Sequence, residues 1–189
     1  AVGVKLMVLG ETSRSNFETV TVARDTLLKL RDTTGHAASL CALLDDDLVV
    51  LDLMHGRSIV EFSTRPGTRL ALHASAHGKI WLAFGPDGLL ERVLRAPRSA
   101  WTPHTLTDAK AIAADAQLVR KRGWSTAPNE AVMGVNTLAA PVFDHRGVLV
   151  ASIAIVGSMQ AIGVKPAAAQ LDAVIEAARR VSRDLGWKE

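Results

Sequence analysis

Residues 138–156, LAAPVFDHRGVLVASIAIV, contain two apolar runs on either side of a short polar turn. The runs at residues 138–143 and 148–156 each have the length of a β-strand, and the turn between them ends in Gly147. Glycine in such a turn can adopt the left-handed conformation that helps to reverse the chain. We therefore predict an antiparallel β-hairpin in this stretch.

A second pair of apolar runs lies nearer the N-terminus. Residues 37–44 and 48–54 flank three consecutive aspartates at residues 45–47, and this pattern predicts another hairpin. Three carboxylates could bind a metal, but no second acidic cluster accompanies them, and a solvated turn is the more common use of such a run. Two further short strands are predicted on either side of a Pro-Gly turn, at residues 59–62 and 68–72.

Apolar periodicity and capping signals predict helices around these strands. A short helix at residues 4–9 precedes a capping box that runs from Ser15 to Glu18, which predicts the start of a second helix ending at Gly35. Four later helices are predicted. The first begins at Ser75, the second contains residues 89–94, and the third begins at Thr107 and ends at Gly123. The fourth has Pro166 in its first turn. This order predicts an α+β fold in which helices pack on one side of an antiparallel sheet.

The composition bounds the class of protein. The 189 residues are enough for one domain with a substantial core. The single cysteine, Cys41, excludes an intramolecular disulfide, and without a signal-peptide pattern we expect a reducing, cytoplasmic setting. No apolar run approaches the roughly 18 residues of a membrane span.

The charge does not by itself demonstrate a nucleic-acid partner. The formal net charge is +3, which is only mildly basic. The one basic run, at residues 120–122, closes a predicted helix, where cations suit the negative end of the helix dipole. A structural role for this run is therefore favoured over DNA contact.

Residues 72–79, LHASAHGK, are the strongest candidate for a binding site. They run from a strand into a helix, and small residues there allow a ligand to approach the free N–H groups of the helix start, which favour an anion. His73 and His77 could bind a metal only if both were helical, and His73 is predicted to precede the helix. The sequence contains no Gly-x-Ser-x-Gly elbow, Gly-x-Gly-x-x-Gly or Walker-type loop, and Asp52 and His55 are spaced to point to opposite faces of a strand.

Four motifs in order, over nearly the whole chain, resemble the effector-binding domain of IclR-type transcriptional regulators. LHASAHGK at residues 72–79, followed by Leu82 and Ala83, resembles the family's LHATALGKALLA. WTPHT at residues 101–105, followed by Thr107 and Asp108, resembles YTPRTITD, and RKRGW at residues 120–124 resembles RERGY. The stretch from Asn129-Glu130 through Gly134 to LAAPVFD at residues 138–144 resembles EEXXXGXXXXAAPVFD.

This resemblance implies a six-stranded antiparallel sheet with flanking helices, similar to GAF and PAS domains, that holds one small metabolite. Residues 1–189 would be the effector-binding domain, with residues 1–14 as a linker helix. The family's N-terminal winged helix-turn-helix is not in this chain, so DNA would be bound only through that separate domain. The resemblance also implies a homodimer or homotetramer, with no cofactor, metal or membrane partner.

The family's effector site can be transferred residue by residue. The backbone that would hold the ligand's carboxylate belongs to Ala76, His77 and Gly78. The apolar wall would include Ile59, Phe62, Leu70 and Val135. Polar contacts in the glyoxylate-sensing branch fall on Ala127, Thr137, Ala154 and Val156. Further candidates are Asn136, as a hydrogen-bonding group, and Trp81, on the same helix face as the anion site.

Two departures from the family bear on the ligand. Three of the four positions that make polar contacts in the glyoxylate-sensing branch are apolar here, and His77 replaces a residue that is usually apolar. The predicted effector is therefore a carboxylic acid larger and more apolar than glyoxylate or pyruvate, such as an aromatic acid. Without the resemblance, each wall residue would be interpreted as an ordinary core residue.

Two other functions compete with the sensor hypothesis. One is a small hydrolase or other enzyme that uses His77 or His55 as a base, which the sequence supports weakly because it shows no catalytic constellation. The other is a pure dimerisation module, which would have an interior filled with side chains instead of a cavity.

Overall fold

The computed structural model describes the backbone of residues 2–57 and 64–188 and the side chains of residues 18–57 and 64–188. Eleven elements are present in these ranges. In chain order they are α1 (Val2–Thr34), β1 (Ala37–Leu44), β2 (Asp47–Met54), β3 (Arg69–Leu70), α2 (Ala76–Phe84), α3 (Leu89–Arg95), α4 (Ala109–Arg122), β4 (Ser125–Thr126), β5 (Val135–Phe143), β6 (Leu149–Ser158) and α5 (Ala168–Asp184).

The six strands form one antiparallel sheet in the order β3-β2-β1-β6-β5-β4. Both predicted hairpins, β1–β2 and β5–β6, are confirmed, and they meet at the centre of the sheet through β1 and β6. In this central pair Ser39 lies opposite Ala154 and Cys41 lies opposite Ser152. The predicted α+β class with a six-stranded antiparallel sheet is therefore confirmed.

Helices cover both faces of the sheet, so the prediction that they pack on one side is wrong. Alternate residues of each strand point to opposite faces. On β6, Ile153 and Ile155 pack in the core formed with α1 and α5, whereas Ala154 packs in the core formed with α2 and α4. Since apolar residues fill both sets of positions, each face of the sheet is buried against helices.

The first helix is continuous, contrary to the prediction of two helices separated before Ser15. It runs from Val2 to Thr34 and ends at Gly35, whose φ of 73° is left-handed as predicted. A capping box works only where the chain before it leaves the helical conformation, and no proline forces that here. The two glycines before Ser15 in this helix, Gly3 and Gly10, each cost a helix only about 1 kcal/mol relative to alanine.

Several other boundaries differ from the prediction by a few residues. The cap of α4 is Asp108, whose carboxylate accepts a hydrogen bond from the Ala111 amide at 2.8 Å, and not Thr107. Pro166 precedes the N-cap of α5 instead of lying in its first turn. The strand predicted at residues 68–72 is shorter, β4 was not predicted, and residues 59–62 lie outside the described residues.

Candidate functional site

The start of α2 is built by the segment that the sequence marked as a binding site. Ser75 is the N-cap, and its hydroxyl accepts a hydrogen bond from the Gly78 amide at 3.0 Å and donates one to the Ala71 carbonyl at 2.7 Å. Among the described residues, the amides of Ala76 and His77 have no hydrogen-bond partner. Both N–H groups lie at the positive end of the helix, and His77 is the one of these two residues that lines the cavity described below.

Gly78 has a structural role at the helix start. A Cβ built on this residue would collide with the backbone of Leu72, whose Cα would lie only 2.5 Å away. The helix start thus packs directly on the strand exit that precedes it. The amide of Gly78 already donates to Ser75, so this residue contributes no free N–H group to the site.

A cavity of about 200 Å³ opens beside this helix start. Its floor contains the buried residues Val50, Ala74 and Ala127, and its rim contains the exposed residues His55 and Val132. The other described residues that line it are Ala37, Ser39, Leu53, Gly56, Thr64, Leu70, Ser75, His77, Ala131, Val135, Thr137 and Val156. No lysine or arginine occurs among the described lining residues, and most of the wall is apolar.

Both ring nitrogens of His77 are engaged by serine hydroxyls. Nε2 lies 2.9 Å from Ser39 Oγ on β1, and Nδ1 lies 2.8 Å from Ser152 Oγ on β6. Burial lowers the pKa of His77 to about 3, because the charged imidazolium would be desolvated. The imidazole is therefore neutral at physiological pH, and it donates one hydrogen bond and accepts another.

The predicted site residues fall into four groups in the structure. Those that line the cavity are Leu70, His77, Ala127, Val135, Thr137 and Val156. Those that are fully or largely buried nearby, without lining it, are Ala76, Gly78 and Ala154. Two predicted site residues face elsewhere. Trp81 lines a separate open cavity beside Phe84. The side-chain amide of Asn136 donates to the Ile162 and Gly163 carbonyls. Those that lie outside the described residues are Ile59 and Phe62.

Sequence reasoning missed Ser39 and the residues around the cavity mouth. Ser39 is the only polar residue in the apolar run of β1, which was a detectable signal for a functional or hydrogen-bonded position. Ala131 and Val132 lie on the loop between β4 and β5, and nothing in their local pattern distinguished them from ordinary loop residues.

An ion cluster ties the loop at the cavity mouth to α2 and α4. Lys79 Nζ lies 2.5 Å from Glu130 Oε1 and 3.1 Å from Asp115 Oδ2. Burial raises the pKa of the Glu130 carboxyl, while the Lys79 ammonium opposes that shift. Thr102 and Thr105 further hold the loop by donating to the Asn129 and Glu130 carbonyls, both at 2.6 Å.

The other histidines and carboxylates considered as site residues have separate surroundings. His73 Nε2 lies 3.0 Å from the Ser99 carbonyl, and its ring stacks on Trp101. Asp52 Oδ2 lies 3.7 Å from Arg24 Nη1 of α1, whereas His55 lies at the cavity rim. Within residues 18–57 and 64–188, no three His, Cys, Asp or Glu side chains are grouped so that they could hold a metal ion.

No helix within residues 2–57 and 64–188 combines the length and the apolar character needed to cross a bilayer.

Comparison with known proteins gives a consistent family. The model described as "Bacterial transcriptional regulator IclR C-terminal" matches residues 12–183. The HTH-type transcriptional regulator BhcR of Paracoccus denitrificans is 37% identical over 161 residues, which are 85% of this chain and 58% of that protein. The chain thus spans less than two thirds of the length of that relative.

Solved structures show the same fold. The Thermotoga maritima IclR is 27% identical with a TM-score of 0.83, and the match covers 97% of this chain and 74% of that one. An IclR homologue from Microbacterium hydrocarbonoxydans, solved as a complex with 4-hydroxybenzoate, is 23% identical with a TM-score of 0.82. That match covers 90% of this chain and 69% of the homologue.

Proposed function

This chain belongs to the IclR C-terminal family of bacterial transcriptional regulators, and from that membership we propose that its cavity binds a small aromatic carboxylic acid. Occupancy of the cavity would control DNA binding by a separate N-terminal domain, in the cytoplasm. The observation that carries the proposal is the cavity itself, because it joins an apolar wall to the start of α2, where the His77 amide is unpaired among the described residues.

The size of the cavity limits the effector to about one ring. Sites for drug-sized ligands occupy roughly 300–1,000 Å³. A cavity of roughly 150 Å³ accommodates benzene in another protein. The volume here, about 200 Å³, therefore suits a single ring with one or two small substituents.

The helix start supplies the site for the carboxylate. Ser75 and His77 line the cavity, and the amides of Ala76 and His77 are unpaired among the described residues. The backbone N–H group of His77, at the positive end of α2, can donate to one oxygen of the carboxylate. Thr137, which also lines the cavity, adds a hydroxyl that can orient the same group.

The apolar wall favours a hydrophobic body. Ala127 and Val156 line the cavity at positions where the glyoxylate-sensing branch has polar contacts. A buried ligand oxygen without a partner there costs about 1–3 kcal/mol, whereas each buried methylene contributes about 0.8 kcal/mol. These magnitudes favour an aromatic acid over glyoxylate or pyruvate, and the complex of the Microbacterium homologue supports 4-hydroxybenzoate as a ligand that this fold can hold.

The competing functions have less support. A pure dimerisation module would have a filled interior, and the cavity argues against it. A hydrolase would need a base that accepts a proton readily, but His77 is buried between two serines with a pKa of about 3, and none of the described residues places a carboxylate in hydrogen-bond contact with it. We therefore propose that the domain binds its effector without converting it.

A thermal-shift panel tests the proposal. At one hundred times its dissociation constant, a ligand that binds only the folded state stabilises it by about 2.7 kcal/mol. We expect benzoate and hydroxybenzoates to raise the melting temperature, with glyoxylate and pyruvate inactive at the same concentration. The opposite pattern would show that the cavity has been misinterpreted.

A matched pair of variants locates the binding site. Val156→Ser replaces two methyl groups, each worth about 0.8 kcal/mol, by a hydroxyl in the cavity wall, so benzoate should bind roughly tenfold more weakly. Val164→Ser makes the same change at a residue that is 63% exposed and does not line the cavity, and it should leave binding unchanged. Equal effects of the two substitutions would place the ligand elsewhere.

A further inference from the structure

Three polar side chains from three elements meet beneath the cavity. Ser39 of β1, His77 of α2 and Ser152 of β6 are hydrogen-bonded in a row, at 2.9 Å and 2.8 Å. All three residues are buried, but only Ser39 and His77 line the cavity. Ser152 Oγ lies 3.5 Å from the Cys41 carbonyl on its other side. We refer to these three residues as the serine–histidine relay.

The protons of the relay can be arranged in two directions. In the first, Ser152 donates to Nδ1, and Nε2–H donates to Ser39, whose own proton is then free. In the second, Ser39 donates to Nε2, and Nδ1–H donates to Ser152, which directs its proton to the Cys41 carbonyl. A neutral imidazole supports either arrangement because it has one N–H group and one lone pair.

In both directions Ser39 keeps hydrogen-bonding capacity that the described residues do not use. Its only described side-chain partner is His77. The first direction leaves an O–H donor and the second leaves lone pairs, and the hydroxyl lies on the cavity wall in either case. Ser39 is already hydrogen-bonded to His77, and a ligand in the cavity is the partner placed to use the capacity that remains.

The group best matched to this position is a hydroxyl. A hydroxyl both donates and accepts, so it completes either direction of the relay. A carboxylate only accepts, so it completes only the first direction, in which Ser39 offers its O–H group. A bare ring would leave the remaining hydrogen-bonding capacity of Ser39 unused.

We propose that Ser39, positioned by His77 and Ser152, is a specificity determinant that recognises one hydroxyl group of the effector. The effector is then a hydroxy-substituted aromatic acid, with its carboxylate at the start of α2. This inference rests on the proposed function and narrows it from aromatic acids in general to those that carry a hydroxyl.

Calorimetric titration of benzoate and of 2-, 3- and 4-hydroxybenzoate tests the inference. We expect the wild-type chain to bind one hydroxybenzoate isomer at least tenfold more tightly than benzoate. Ser39→Ala should lower the affinity for that isomer to the level of benzoate, while the affinity for benzoate changes less than threefold. Ser152→Ala should reduce the preference partly, because it removes the partner that holds the His77 ring. Ser158→Ala, on the same strand but outside the relay, should preserve the preference.

A spectroscopic measurement distinguishes recognition from a merely structural role. The 15N shifts of the His77 ring report which nitrogen carries the proton. Adding the preferred hydroxybenzoate should change the tautomer ratio, and adding benzoate should not. If Ser39→Ala fails to fold, Ser39→Cys, which keeps a similar volume with a weak donor, should show the same loss of preference.

The outcomes separate the two proposals. If the wild-type chain binds benzoate and all hydroxybenzoates equally, or if a folded Ser39 variant keeps the preference, the inference is overturned and the proposed function stands. If none of the four acids binds, the proposed function fails and the inference fails with it. Loss of preference only in the Ser39 and Ser152 variants supports both.

Discussion

Replacing His77 by leucine should remove a large part of the protein's loss of stability in acid. The pKa of His77 is lowered by burial from 6.5 to about 3. Between these two values the unfolded chain binds a proton at this residue that the folded chain does not bind. The free energy of unfolding therefore falls as the pH drops below 6.5, and this decrease due to His77 is complete at about pH 3.

The size of this effect at pH 5 depends mainly on the pKa of His77 in the unfolded chain. The difference between 6.5 and 5 is 1.5 units, and each unit corresponds to about 1.36 kcal/mol, so His77 lowers the stability by about 2 kcal/mol at pH 5. At pH 7.5 the same residue is neutral in both states and contributes almost nothing to the pH dependence.

Urea denaturation at pH 7.5 and pH 5 measures this difference. Between the two pH values, wild-type protein should lose about 2 kcal/mol more than His77→Leu does. The leucine variant can be less stable than wild type at pH 7.5, since Ser39 and Ser152 lose their partner, so only the change with pH is compared.

Ile80→Val is the matched control. Ile80 is fully buried on the same helix, and its truncation should cost about 0.5–1.5 kcal/mol at both pH values without altering the pH dependence. Equal losses between pH 7.5 and pH 5 in wild type and His77→Leu would refute the reasoning, because they would mean that His77 titrates normally in the folded state.

Three further predictions concern the same framework. Gly78→Ala should lower the free energy of unfolding by roughly 1–3 kcal/mol in urea denaturation, because its Cβ would overlap the Leu72 backbone, and an unchanged stability would contradict this packing. Lys79→Met should destabilise the fold by about 3–5 kcal/mol at pH 8, because the buried Glu130 carboxylate loses its cation. The loss should be smaller at pH 5, where protonation can neutralise Glu130, whose pKa is raised by burial. A loss that does not depend on pH would argue against a buried ion pair. The 20.1 kDa chain should form a homodimer or homotetramer in light scattering, and a monomer at micromolar concentration would refute this expectation from the family.

The parts of the fold that were predicted correctly depend on short-range chemistry. Both hairpins were recognisable because strand-length apolar runs flank turns, and Gly147 takes the left-handed conformation that was expected of it. Gly35 and Gly123 end their helices in the same conformation. Each of these features is set by a few neighbouring residues, so a single sequence contains the necessary information.

The fold predictions that were wrong concern places where the conformational preference of a short sequence competes with its tertiary context. The capping box at Ser15 is a valid local signal, yet α1 continues through it. The two faces of the sheet were not distinguished, because an apolar strand pattern does not show which helix covers which face. Strands of only two residues, such as β3 and β4, have too few side chains to produce a periodic pattern.

The candidate site was likewise predicted from the sequence only in part. Residues 72–79 alone indicated a helix start with small residues, and the resemblance to the family supplied six of the residues that line the cavity. The sequence by itself thus determined the fold class, the family and the position of the helix start at which we propose that the carboxylate binds. Only the tertiary structure decided that Ser39 and Ser152, which lie 38 and 75 residues from His77, meet on its two nitrogens. The physical reason is that a hydrogen bond requires approach within about 3 Å, and contacts between such distant residues arise only when the sheet order and the packing of α2 are established together.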